Sequence, residues 1–164
     1  MNLYKYKKIL VTHDGSECAS AVLPHAISMA IALNAEVLLL HVIGPFNPGL
    51  GIASAYGIGI FPSPEIYGTS ARELAKRAKE TATKKLEEIK DELISSGIKK
   101  VQIKVEEGYA PEIILYIAKK ENFDMIIMST HGRTGLKKVL IGSVTEHVIH
   151  RALCPVLTVH PTKG

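Results

Sequence analysis

Apolar positions along the chain alternate between short continuous runs and stripes at helical spacing. Lys8 to Thr12 is a brief apolar run that ends in the turn cluster His13-Asp14-Gly15-Ser16, which predicts a buried strand. From Ser16 or Glu17 to Leu33, residues Ala19, Val22, Leu23, Ala26, Ile27, Ala30 and Leu33 follow one helix face, and Pro24 inside it requires a kink or a late start. Glu36 to Ile43 reads as a second strand. Ser70 to Ser95 predicts a long helix with Leu74, Ala78, Ala82, Leu86, Ile89 and Leu93 as its buried stripe. Its other faces carry charges in i,i+4 pairs such as Glu80 with Lys84, and Gly97 ends it. Val101 to Glu106 alternates apolar and polar, as an edge strand does. Pro111 falls in the first turn of a helix reaching Lys120, where proline is tolerated. Met125 to Ser129 is a fourth strand, Ser143 to Ala152 a fourth helix and Pro155 to His160 the last strand.

Strict β-α alternation with apolar strands predicts a mostly parallel sheet covered by helices on both faces. Residues 1–164 form one domain by length, with no internal repeat. Ligands of such sheets sit beyond the carboxyl ends of the strands, where the strand order reverses. Two of those ends are chemically rich here, Thr12-His13-Asp14-Gly15 and Ser129 to Gly135. If the two strands are neighbours, one crevice holds an acidic lip and a glycine loop.

Composition narrows the partners. Hydrophobic residues make up 46% and charged residues 22%, which places the chain among globular proteins rather than disordered ones. The net charge of +4 favours anions only weakly. Without an arginine-rich arm or an aromatic stacking motif, no nucleic-acid partner is expected. No apolar run is long enough to span a bilayer, so no membrane partner is expected either. Two cysteines outside a CxxC pair read as reduced thiols in a cytoplasmic protein.

The chemistry concentrates between Ser129 and Thr145. A glycine-punctuated loop brings backbone N–H groups close to an anion, and a helix opening at Gly142-Ser143 adds unpaired N–H groups and partial positive charge. Together they point to phosphate. No GK[ST] follows, so this is not a P-loop, and GxGxxG is absent. Other readings stand beside it. Gly132 and Gly135 are also ordinary turn residues. Ser143 with Glu146 is a capping box needing no ligand. Asp14 before Gly15-Ser16 serves equally as a turn or helix cap. His13 and His131 sit on the two crevice lips. His147 and His150, one turn apart, lack a third metal ligand. Arg133, Lys137 and Lys138 either screen phosphate or form a solvated edge.

Gly132, nine intervening residues and Gly142-Ser143 resemble the universal stress protein family, whose nucleotide-binding members carry G-x2-G-x9-G-[ST] in this place. Residues 7–16 (KKILVTHDGS) and 142–159, from Gly-Ser-Val-Thr-Glu to Cys-Pro-Val-Leu-Thr-Val, match as well. The family's first glycine falls on Ser129, which is small but resists positive φ. The resemblance implies a Rossmann-like sheet of the adenine nucleotide α-hydrolase type, five parallel strands in the order 3-2-1-4-5. It also implies ATP, or AMP or ADP, as ligand, with Mg2+ or Mn2+ at the phosphates. Asp14 would bond ribose hydroxyls or lie near the metal, and Val42 would lie against adenine. Ser129 and Gly132 would line ribose and phosphates, while Gly142, Ser143 and Val144 would hold phosphates through N–H groups and the serine hydroxyl. Thr12, His131, Arg133, Gly135 and Thr145 complete the implied cofactor-binding set. A homodimer through the last strand, Val156 to His160, is implied too.

The expected function is an ATP-binding stress-response switch with at most slow hydrolysis, acting on an unidentified protein partner. No general base is evident and the P-loop lysine is missing. The alternative is a nucleotide-free homodimeric scaffold of the same family. An adenylating enzyme lacks its SGGxDS-like loop after the first strand. Residues 44–69 form a long Gly- and Pro-rich stretch whose only charge is Glu65, and they read as a lid or docking flap, or as disorder with a few apolar residues.

Overall fold

A computed structural model describes residues 4–44, 71–130 and 141–161. The chain runs β1 (Lys8–Thr12), α1 (Glu17–Ser20), α2 (Leu23–Leu33), β2 (Glu36–Ile43), α3 (Ala71–Ser95), β3 (Val101–Glu107), α4 (Ala110–Lys120), β4 (Met125–Ser129), α5 (Ser143–Arg151) and β5 (Val156–Val159). Among the described residues the strands form one five-stranded sheet in the order β3-β2-β1-β4-β5, every pair parallel. This is the Rossmann-like order expected. The chain winds outward from β1 through β2 to β3, then crosses to the far side of β1 for β4 and β5. The order therefore reverses between β1 and β4, which pair as Ile9 with Met125 and Val11 with Ile127.

The central strands are apolar throughout because both faces are covered. Ile9, Val11, Val37, Leu39 and Ile127 pack on α2 and α3 through Ala26, Ala30, Leu86, Ile89 and Leu93. The alternate residues Leu10, Leu38, Leu40, Ile126 and Met128 pack on α4 and α5 through Ile114, Ile117 and Val148. Each fully buried Leu or Ile contributes about 1.5–3 kcal/mol relative to exposure.

Pro24 acts by dividing the predicted helix into two. The short α1 ends at Ser20, and α2 restarts at Leu23 with proline in its first turn, where the missing N–H has no helical partner to lose. Asn34 supplies the left-handed C-cap of α2 at φ 49°. α3 closes with the two bonds of a Schellman motif, Ile98 N–H to the Leu93 carbonyl and Gly97 N–H to the Ile94 carbonyl. On the exposed face of α3, Glu80 pairs backward with Lys76 at 3.9 Å rather than forward with Lys84. Residues 45–69 of the supposed lid lie outside the described residues.

Candidate functional site

The carboxyl end of β1 turns sharply into α1, and polar side chains hold that turn. The His13 amide still belongs to the sheet, donating to the Leu40 carbonyl at 2.9 Å. Its ring is buried, with 1% exposed. Nδ1 accepts the Gly15 N–H at 3.1 Å, and Nε2 meets Ser20 Oγ at 3.2 Å. An accepting Nδ1 fixes the neutral Nε2–H tautomer, so Nε2 donates to the serine. Burial pushes the imidazole down to about 4, against the opposing pull of the Asp14 carboxylate. Gly15 stands at φ +86°, a conformation that side chains rarely adopt, so glycine is required here. Asp14 Oδ1 accepts both the Ser16 amide at 3.0 Å and the Ser16 hydroxyl at 2.6 Å. Ser16 Oγ in turn accepts the Ala19 amide at 3.1 Å and caps α1.

The carboxyl end of β4 lies beside this turn. Thr130, directly after the strand, is buried and bonded on three sides. Its amide donates to the Val159 carbonyl at 2.9 Å, its carbonyl accepts the Gly142 amide at 2.7 Å, and its hydroxyl meets His160 Nδ1 at 2.9 Å. Thr145, also buried, donates its hydroxyl to the Ser129 carbonyl at 2.8 Å. These bonds dock the first turn of α5 onto the end of β4. The approach is close enough that a Cβ on Gly142 would meet the Thr130 carbonyl oxygen at 3.1 Å.

Gly142 is the N-cap of α5 in extended backbone, φ −70° and ψ 151°, and Ser143 is the first helical residue. The capping box therefore does not form around Ser143: the chain has already turned one residue earlier, where the Gly142–Thr130 bond pins it. The Gly142 amide is committed to that bond, so it is not among the anion-facing donors anticipated for it. The first bond along the helix is Glu146 N–H to the Gly142 carbonyl. The amides ahead of it, on Ser143, Val144 and Thr145, have no carbonyl one turn back within the helix and carry the positive end of its dipole.

The implied site residues thus fall into groups. Thr12, Asp14 and Ser129 end the two adjoining strands, and Gly142, Ser143, Val144 and Thr145 open α5 beside them. Val42 lies next in the sheet, near the end of β2, half-buried on the α4 and α5 face. His131, Gly132, Arg133 and Gly135 lie outside the described residues. His13 is not a lip residue open to ligand, because its ring is inside and both nitrogens are engaged. The Thr145 hydroxyl is engaged as well, which leaves its amide as the group it offers. Ser129 ends β4 in register with Val159, within the sheet, so serine in place of the family's glycine demands no positive φ. The rings of His147 and Tyr109 pack at right angles, with centroids 6.0 Å apart. Sequence reasoning missed Thr130. Its one signal was a polar residue directly after a strand buried along its whole length. Two concavities of about 420 and 1100 Å3 lie at the amino ends of the strands, around Tyr4 and Asp124, far from the order reversal.

An open parallel α/β sheet with a helix N-terminus docked at its strand-order reversal defines a Rossmann-like domain. The universal stress protein family model matches residues 5–160, and this chain belongs to that family. Universal stress protein MJ0577 of Methanocaldococcus jannaschii is 41% identical over 162 residues, 94% of each chain. A solved structure of hypothetical protein MJ0577 superposes with a TM-score of 0.78 at 37% identity, covering 98% of this chain and 100% of that one. A universal stress protein in complex with cAMP aligns at TM-score 0.66 and 19% identity, over 96% of this chain and 98% of that one. The universal stress protein from Archaeoglobus fulgidus in complex with dAMP gives 0.60 and 19%, over 94% and 98%. At that identity the last two establish the fold alone. Among the described residues no helix is long and apolar enough to cross a membrane.

Proposed function

We propose that this chain binds an adenine nucleotide between the carboxyl ends of β1 and β4 and works as a nucleotide-dependent switch in the stress response. The observation that carries the reading is the docked N-terminus of α5. The amides of Ser143, Val144 and Thr145 open beside the ends of β1 and β4, and the Thr145–Ser129 and Gly142–Thr130 bonds hold them there. The phosphates take these amides, joined by Gly132 and the Ser143 hydroxyl. Ribose lies toward Asp14 and Ser129, with adenine against Val42. The cAMP and dAMP complexes of the two family members support an adenine nucleotide as the ligand class. Asp14 supplies a hard oxygen suited to Mg2+ or Mn2+ at the phosphates, whose role there is charge neutralisation. His13 is occupied at both ring nitrogens in holding its turn, which favours binding over efficient hydrolysis.

The protein acts as a homodimer through β5 in this reading. Val156–Val159 is uncharged and pairs on one side only among the described residues, whereas the opposite edge strand, β3, carries Lys104, Glu106 and Glu107.

Thermal melting with and without millimolar Mg-ATP, AMP and cAMP tests the reading, since a ligand of the folded state raises the midpoint. Ser143→Pro removes one amide and the hydroxyl at a position where proline suits the helix and extended Gly142 tolerates a following proline. Loss of a charge-assisted bond of about 1.5–3 kcal/mol weakens binding roughly tenfold or more. Unchanged affinity in this variant places the nucleotide elsewhere.

A further inference from the structure

Two features of the β1 turn stand apart from ligand contact. The His13 ring, 1% exposed, spends both nitrogens on the chain that immediately follows it. Its bonds also close a ring. Nδ1 holds the Gly15 amide, the Gly15–Ser16 peptide leads to Ser16, Ser16 caps α1, and Ser20 of α1 returns to Nε2. Asp14 lies inside that ring, with Oδ1 held by the Ser16 amide and hydroxyl. A turn at φ +86° on Gly15 has little intrinsic preference for one peptide orientation. Only a fixed acceptor for the Gly15 N–H selects the orientation that leaves the Ser16 amide to Asp14. A leucine of similar volume would fill the space without that selection.

We propose that His13, as its Nε2–H tautomer, is a positioning residue that locks the β1–α1 turn and thereby sets the Asp14 carboxylate for the ribose or cation. This deepens the nucleotide reading and rests on it for its effect on affinity. The turn itself is testable without any ligand.

The test compares His13→Leu, which keeps apolar volume, with His13→Asn, whose amide oxygen stands where Nδ1 stands. If His13 is merely core filling, Leu is the milder change in every measurement, because Asn leaves a cavity and a buried amide. Positioning predicts opposite orders. By urea unfolding, Asn is the less stable variant. By titration with Mg-ATP and with AMP, Asn stays within about threefold of wild type while Leu loses tenfold or more. In nucleotide-free protein, Gly15 amide exchange by NMR accelerates at least tenfold in Leu and not in Asn, and the wild-type imidazole shows a proton on Nε2 only. Leu binding as tightly as wild type overturns the proposal, as does wild-type exchange of its Gly15 amide or a proton on Nδ1. Where wild type binds neither nucleotide but the exchange pattern holds, the nucleotide reading fails and the lock on the turn stands.

Discussion

Acidification bears on one buried histidine, His13. The His13 imidazole is held at about 4, against an ordinary 6.5, because its ring is buried. Between those values the unfolded chain binds a proton there that the folded chain refuses. The stability His13 contributes is therefore complete above pH 6.5 and is lost as pH falls toward 4. Linkage puts the full loss at about 3 kcal/mol, of which about 2 kcal/mol is gone between pH 7 and pH 5. For a domain of this size that corresponds to a fall of about 4–8 °C in Tm. Urea unfolding of nucleotide-free protein at pH 7, 6 and 5, beside His13→Gln, measures it. Glutamine does not titrate, so its disadvantage against wild type should shrink by about 2 kcal/mol across the range. The difference also cancels the acidic side chains. Asp124 is one such group. Burial raises its pKa, but the amide bonds from Lys7 and Lys8 outweigh that and hold it below the usual range, so its contribution is lost only at lower pH. Parallel loss of stability in variant and wild type would refute a neutral, buried His13.

Three further outcomes follow from bonds already described. Thr145→Val removes the hydroxyl bond to Ser129 at nearly constant shape, costing about 1–2 kcal/mol by urea unfolding and loosening the first turn of α5. Nucleotide titration should show weaker binding in this variant. Gly142→Ala fits the backbone at φ −70° but sets its Cβ 3.1 Å from the Thr130 carbonyl, so that carbonyl must give way. Its Tm should fall by a few degrees and its nucleotide affinity should drop, both read in one melting series with and without ligand. Thr158→Pro probes the β5 edge. Pro155 and Val159 carbonyls accept from β4, so the intervening even-numbered amides face outward. Proline at 158 spares the β4–β5 ladder, and light scattering should report a monomer whose Tm no longer depends on protein concentration.

Strand boundaries were legible where both faces of the sheet are covered. Glu36–Ile43 is almost wholly buried, so its apolar run and its strand coincide. The limits of α2 were less so, because Pro24 permits either a kink or a restart, and packing of Leu23 and Ala26 into the core selects the restart. Ser143 and Glu146 satisfied a local capping pattern, yet the cap went to Gly142 through a contact with Thr130, distant in sequence. The same limit applies to His13. Its place at a strand end marked it as near the crevice, but only the return of α1 beneath the sheet shows the ring turned inward onto Ser20. Long-range hydrogen bonds, which periodicity does not encode, account for these differences.

The contrast between the two outer strands bears on how large an assembly can grow. Strand addition at both rims would propagate copy after copy into a filament. Charge at β3 discourages that rim, and the proposed dimer uses the uncharged β5 instead. When two molecules join by that rim about a twofold axis, each consumes the other's free amides and nothing remains to recruit a third. In the proposed dimer growth would stop at two, with no adhesive rim left to seed a fibre.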